Sequence, residues 1–166
     1  QQELNAARTN TGSDHITLNE IEHTVTIDVD DLRIDLGGIG QGFAVDRMGD
    51  LLSEWSIDTA FIHGGCRSVL SLGSPADRKG WPVTLSYPND RKNTLLSLDL
   101  CNMAIGSSGL QKGQHIIDPR SAKPVEKILT AWSCAPDAAT ADALSTAFMI
   151  MTKEQIDQFC MAHPNT

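Results

Sequence analysis

Asp142 and Thr146 stand four residues apart in the stretch ADALSTA, residues 141–147. On a helix that spacing stacks both side chains on one face, apart from a Leu144/Phe148 stripe. A carboxylate and a hydroxyl are hard oxygen ligands, better suited to Mg²⁺ or Ca²⁺ than to zinc. The same pair is also ordinary on a solvated helix face. Its small, apolar surroundings weigh against that, because an unpaired carboxylate is costly there. His115 precedes Asp118-Pro119-Arg120. A histidine is the usual general base near neutral pH, although a lone one is more often a hydrogen-bonded structural residue. Asp118 in Asp-Pro-Arg-Ser is good turn chemistry, able to hold its own backbone. A third group is the stretch DLGGIGQGFAVD, residues 35–46. Glycines at the start of a helix let a phosphate approach unpaired backbone N–H groups and the positive dipole end. The spacing Gly38-x-Gly40-x-Gly42 is neither the dinucleotide GxGxxG nor a Walker loop, so a tight strand-to-helix connection is the alternative.

These groups need elements to position them. Residues 24–34 alternate and read as strand, and residues 42–55 read as a helix with Val45, Met48, Leu52 and Trp55 on one apolar face. Short strands are expected at 59–63 and 66–73, separated by Gly64-Gly65, where a bend or bulge fits. Residues 81–87 read as strand, 88–93 as a hydrophilic turn, and 95–100 and 103–107 as two further strands. A strand over 128–134 precedes a helix capped by Asp137 and running to about Met151. Thr152 and Gln155 form a capping box for a last helix through Cys160. Strands, a helix, many consecutive strands and then helices make an α+β fold with a mainly antiparallel sheet. Residues 1–23 read as a polar leading segment or linker, and residues 24–166 as the folded portion.

The net charge is −8, with 40% hydrophobic and 20% charged residues. That balance suits a globular core and argues against nucleic acid or an anionic membrane as a partner. No run of about 18 apolar residues is present, and no signal peptide is seen. Cys66, Cys101, Cys134 and Cys160 are scattered without a CxxC, so a zinc knuckle is not expected. Cys101 and Cys134 sit in apolar runs and read as buried thiols.

Taken in order, the motifs resemble one family. The stretch at 35–46 is similar to DLGGIAKGYAVD. Gly64-Gly65 follows a strand, Ser107-Ser108-Gly109 ends another, and residues 115–122 (HIIDPRSA) resemble HIIDPRTG. The ADALSTA helix comes last. This order resembles the ApbE family, the FAD:protein FMN transferases.

The resemblance implies FAD as substrate, Mg²⁺ as cofactor, and a target flavoprotein whose Thr or Ser hydroxyl attacks the FMN phosphorus, with release of AMP. It implies Asp142, Thr146 and the Gly40 carbonyl as metal ligands and His115 as the catalytic base that also contacts the nucleotide. It implies Gly37, Gly38, Gly40, Gln41 and Gly42 at the diphosphate, and Ser107, Ser108 and Gly109 at the flavin or ribityl portion. Other readings it allows are a non-catalytic flavin- or partner-binding module and an Mg²⁺-dependent FAD pyrophosphatase. The departures are Gln41 for a family Lys, a short segment at 110–114, and Ser121-Ala122 for Thr-Gly. The resemblance also implies a two-part architecture of which this chain would be one portion, associating with the other portion or with itself. It implies an extracytoplasmic location, periplasmic or at the cell envelope.

Overall fold

The computed structural model describes residues 7, 9–65, 67–110, 113 and 115–166. Its centre is a four-stranded, wholly antiparallel sheet. The strands are β3 (Ala60–Gly64), β4 (Ser68–Leu72), β7 (Ala104–Gly109) and β10 (Thr130–Ala135), in spatial order β10-β7-β4-β3. Between β4 and β7 comes a long hairpin, β5 (Trp81–Tyr87) with β6 (Asp90–Leu100). A small leading hairpin pairs β1 (Ile16–Asn19) with β2 (Thr24–Ile27), and a two-residue ladder pairs β8 (Ile117–Asp118) with β9 (Lys123–Pro124). The helices are α1 (Gly40–Glu54), α2 (Ala138–Phe148) and α3 (Lys153–Ala162). The α+β expectation with a mainly antiparallel sheet holds.

Side chains alternate across a strand, and the central sheet uses both faces. One face carries Ile62, Ser68, Leu70, Ala104, Ser133 and Ala135, and packs α1 and α2 through Val45, Ala138 and Ala141. Below α2 that face is paved with small residues, because Gly106 pairs with Ser68 on one side and Ser133 on the other. A Cβ on Gly106 would lie 2.2 Å from the Ala141 carbonyl oxygen. The helix therefore rides directly on the sheet backbone, and its own small residues Ala138, Ala141 and Ser145 are fully buried. A second cluster of Ile116, Val125 and Met149 anchors the segment after β7.

Capping fixes the helix ends. Asp137 accepts the Thr140 N–H at 2.7 Å, and Thr152 and Gln155 form the expected reciprocal box. Asp46, on α1, accepts the N–H groups of Ala138 and Ala139 at 2.7 and 2.8 Å. It thus satisfies two of the unpaired donors at the start of α2.

Several expectations need correction. The 24–34 strand stops at Ile27, which pairs with Ile16, the first residue of β1, so the ladder has no partner beyond it; Asp31 further on is left-handed (φ 61°). The last part of segment 1–23 is β1, paired in full with β2. The turn between them is closed by Asn19, whose side-chain oxygen accepts the N–H groups of Ile21 and Glu22. The turn expected at 88–93 is shorter, because the β6 ladder already starts at Asp90 and is irregular there. On α1 the buried face is Gly42, Val45 and Gly49, with Leu52 packed beside it. Met48 and Trp55 face outward with Phe43 and Leu51, a substantial exposed apolar surface. Helix α2 ends at Phe148 rather than Met151. Cys101 is exposed and Cys134 half-buried, its thiol pushed up in pKa by burial; Cys160 is also free. Cys66 and parts of the 1–23 and 110–114 segments lie outside the described residues. Among the described residues, no helix is long and apolar enough to cross a membrane.

Ala122 carries the conformational cost of a missing glycine. It sits at φ 53° in the turn that closes on Asp118, its N–H donating to the Asp118 carbonyl at 2.8 Å. A Cβ in that region costs about 1–2 kcal/mol, partly offset by the greater freedom of glycine in the unfolded chain. Ala122→Gly is therefore expected to stabilise the fold by roughly 0.5–1 kcal/mol, read as a raised urea midpoint at unchanged m-value.

Candidate functional site

The start of α1 and the middle of α2 meet over the end of β7. Asp35 holds the loop into α1, its carboxylate accepting the Gly37 N–H at 2.7 Å. Gly38 then runs beside Thr146, and a Cβ there would meet the Thr146 hydroxyl at an ordinary contact distance of 3.5 Å. Gly40 opens the helix, with its N–H donating to the Leu36 carbonyl at 2.7 Å. Gly42 donates its N–H to Asp142 Oδ2 at 2.9 Å. This contact needs glycine, since a Cβ on Gly42 would fall 2.1 Å from the Ala138 carbonyl oxygen.

Asp142 is only 5% exposed, so the solvated-face reading of Asp142/Thr146 is overturned. Burial raises its pKa above the ordinary carboxylate value. The Gly42 N–H, the Ser68 hydroxyl and the Arg67 charge pull the other way without cancelling the effect. Ser68 is fully buried, and its hydroxyl makes no hydrogen bond of normal geometry. Around Thr146 the hydroxyls form a chain. Ser108 Oγ shares hydrogen bonds with Thr146 Oγ1 at 2.8 Å and Ser145 Oγ at 2.9 Å, and Ser145 donates to the Asp142 carbonyl at 2.8 Å.

The donors gathered here are all oxygen: one carboxylate and several hydroxyls beside a glycine-rich backbone. Among the described residues no group of three or more His, Cys, Asp or Glu side chains comes together, so nothing resembles a thiolate or imidazole metal centre. An oxygen-only set with one buried, charge-disfavoured carboxylate fits a hard divalent cation. The cation would supply the counter-charge that Asp142 lacks. Asp142 Oδ2 already accepts the Gly42 N–H, which orients the carboxylate.

On the opposite face of the sheet, β5 leans over β4, β7 and β10 and encloses a cavity of about 450 Å³. Ser107, Ser108 and Gly109 line it, together with His63, Arg67, Tyr87 and Trp132. Ser108 belongs to both places: it lines the cavity and hydrogen-bonds Thr146. The structure thus brings Gly38, Gly42, Ser108, Asp142 and Thr146 together and puts Ser107 and Gly109 at the adjoining cavity.

Three other sequence-derived residues are placed differently. Gln41 folds back and donates its side-chain N–H to the Gly64 carbonyl. It fastens the Gly64-Gly65 bend, where Gly65 has φ 65°. His115 is exposed, and its hydrogen bond is to the Gly113 carbonyl at 2.9 Å through Nδ1. A carbonyl only accepts, so Nδ1–H donates this bond, and Nε2 is the ring nitrogen left for another partner. Asp118 is structural. It pairs with Arg120 at 2.9 Å, which holds its carboxyl below the usual range, and Arg120 also reaches the Ile150 carbonyl. Sequence reasoning missed Asp46, Arg67, Ser68 and Ser145. Asp46 and Ser145 were legible only as parts of the 35–46 and 141–147 motifs, and Arg67 and Ser68 gave no signal.

Known proteins share this chain's sequence pattern and fold. The ApbE family model matches residues 1–166. The FAD:protein FMN transferase of Escherichia coli K12 is 27% identical over 168 residues, covering 93% of this chain and 48% of that protein. The Klebsiella pneumoniae protein of the same name is 28% identical over 170 residues, covering 95% and 48%. Among solved structures, the flavin transferase ApbE from Vibrio cholerae superposes with a TM-score of 0.82 at 27% identity, covering 98% of this chain and 54% of that one. The ApbE protein from Thermotoga maritima gives 0.82 at 26% identity, covering 99% and 55%. The chain spans about half the length of the curated relatives it matches. With a family match along its whole length and the glycine-loop, Asp142/Thr146 and Ser108 constellation in place, this chain belongs to the ApbE family.

Proposed function

We propose that this chain carries the reacting portion of an Mg²⁺-dependent FAD:protein FMN transferase. The observation that carries the reading is the convergence of Asp142, Thr146, Gly38 and Gly42 at one end of α1, joined through Ser108 to the adjoining cavity. Asp142, Thr146 and the Gly40 carbonyl would hold the Mg²⁺, which when bound offsets the negative charge of the diphosphate. Gly37 and Gly38 leave the backbone open to the diphosphate oxygens at the positive end of α1, whereas Gly42, buried with its N–H held by Asp142, only lets α1 close on α2 behind them. Ser107, Ser108 and Gly109 border the flavin or ribityl portion in the cavity.

In the transfer, a Thr or Ser hydroxyl of a target flavoprotein attacks the FMN phosphorus. A new P–O bond forms as the bridging P–O bond breaks, and AMP leaves with the bridging oxygen. His115 Nε2 takes the hydroxyl proton, with Nδ1–H held by Gly113. The exposed position of His115 suits a nucleophile that arrives from another protein. His115→Gln is expected to lower transfer by roughly 10²- to 10⁴-fold while FAD affinity changes little, measured by AMP release and by the intact mass of the acceptor protein. A second reading, a nucleotide-binding module without chemistry, is favoured by Gln41, which is uncharged and engaged with Gly64. FAD binding without AMP release in the wild-type protein would select it. FMN and AMP formed without any acceptor protein would instead indicate a pyrophosphatase.

A further inference from the structure

The cavity beneath β5 is lined by hydrophobic, aromatic and hydroxyl side chains, and among its described lining residues Arg67 alone carries a permanent positive charge. Arg67 sits in the turn between Gly64-Gly65 and β4, half-buried, next to the sheet end where Ser107 and Ser108 emerge. Its backbone is fixed there, since the Ser107 N–H donates to the Arg67 carbonyl at 2.7 Å. No carboxylate lies within ion-pair distance of its guanidinium among the described residues. Its charge is nevertheless felt at Asp142, so it lies within electrostatic reach of the hydroxyl and carboxylate cluster. A half-buried guanidinium without a partner carboxylate, in a cavity it shares with the Ser107, Ser108 and Thr130 hydroxyls, is matched to an oxyanion with two free oxygens. The start of α1, by contrast, supplies only dipolar N–H groups, because Gln41 is neutral and turned toward Gly64.

We infer that Arg67 is a phosphate-binding, specificity-determining residue of this site, gripping the diphosphate of the bound nucleotide from the cavity side. The inference rests on the flavin-nucleotide reading and adds to it the side chain that selects a phosphorylated ligand over the bare flavin. The partition of roles is simple: the cation at Asp142/Thr146 holds one side of the diphosphate, and the Arg67 fork holds the other.

The test is calorimetric titration of the full-length protein, as wild type, Arg67→Met and Arg67→Lys, with FAD, inorganic pyrophosphate and riboflavin, each with Mg²⁺ present. Thermal melts establish that the variants are folded. Arg67→Met should weaken FAD and pyrophosphate binding by roughly 10- to 100-fold, flatten the salt dependence of both, and leave riboflavin unchanged. Arg67→Lys should recover only part of the loss, since an ammonium restores the charge but not the fork. Equal FAD and pyrophosphate affinities in wild type and Arg67→Met would overturn the inference and leave the flavin reading intact. Arg67-dependent pyrophosphate binding without any FAD binding would do the reverse. A wild-type protein that binds neither anion overturns the inference.

Discussion

Asp142→Asn is expected to leave the fold intact while lowering flavin transfer on the order of 10²-fold or more. The two halves of that result have separate causes. Asn keeps an amide oxygen to accept the Gly42 N–H, so the contact between α1 and α2 survives. What disappears is a buried negative charge, and that charge is what a divalent cation needs. The sign of the pH effect follows from burial. The folded-state pKa of Asp142 is raised above the ordinary value of 3.8. Between the two values the folded chain holds more protons than the unfolded one, so stability falls as pH climbs through that window. The Asn variant lacks this slope and should be as stable as the wild type without metal, or more so, above it. Cation affinity runs the opposite way, rising with pH as the carboxyl ionises. Urea melts of both proteins across that range, with and without Mg²⁺, check both signs. Full transfer activity in Asp142→Asn would remove this carboxylate from the mechanism.

Gly42→Ala is the second large effect, and here the expected loss is in stability itself. An added methyl would stand 2.1 Å from the Ala138 carbonyl oxygen and 2.8 Å from the Ala139 Cα, both rigid helix backbone. Nothing flexible is available to yield, so α1 and α2 must separate. The Gly42–Asp142 hydrogen bond and the Asp46 cap on α2 would be strained together. A cost of roughly 3 kcal/mol or more is expected. Gly40→Ala, two residues earlier on the same helix, is the control. Its Cβ would meet only the Leu36 Cβ at 3.9 Å, and alanine is the better helix former. That variant should melt within about 0.5 kcal/mol of the wild type or above it. Equal destabilisation by both substitutions would contradict the packing described for α1 and α2.

Local signals carried a large part of this fold. The Asp137 cap and the Thr152/Gln155 box were readable because each is a contact between residues three apart. The strands β4, β7 and β10 were readable as short runs set off by glycine, proline and charged turns, each of which is local in the chain. Other features came from long-range contacts that no local pattern records. Asp46 meets Ala138 and Ala139 across more than ninety residues. Strand β1 was hidden inside a polar segment because its hairpin leaves Leu18, Val25 and Ile27 exposed, so no core-facing alternation marks it. Periodicity places Met48 and Trp55 on one apolar face with Val45 and Leu52. In the fold α1 instead approaches through Gly42, Val45 and Gly49, and periodicity cannot see a face made of glycine. At the site, Asp142, Thr146, Ser108 and the glycines were reached through motif order and then found together. Ser68 and Arg67, and the role of Ser145 within its motif, became visible only once β4, β7 and α2 were stacked.

The most direct test of the account is titration of FAD into the full-length protein with and without Mg²⁺, comparing wild type with Asp142→Asn. The account predicts Mg²⁺-dependent FAD binding in the wild type, tightening as pH rises, and loss of that Mg²⁺ dependence in the variant. FAD binding that is indifferent to Mg²⁺, or equally Mg²⁺-dependent without the Asp142 carboxylate, would contradict it.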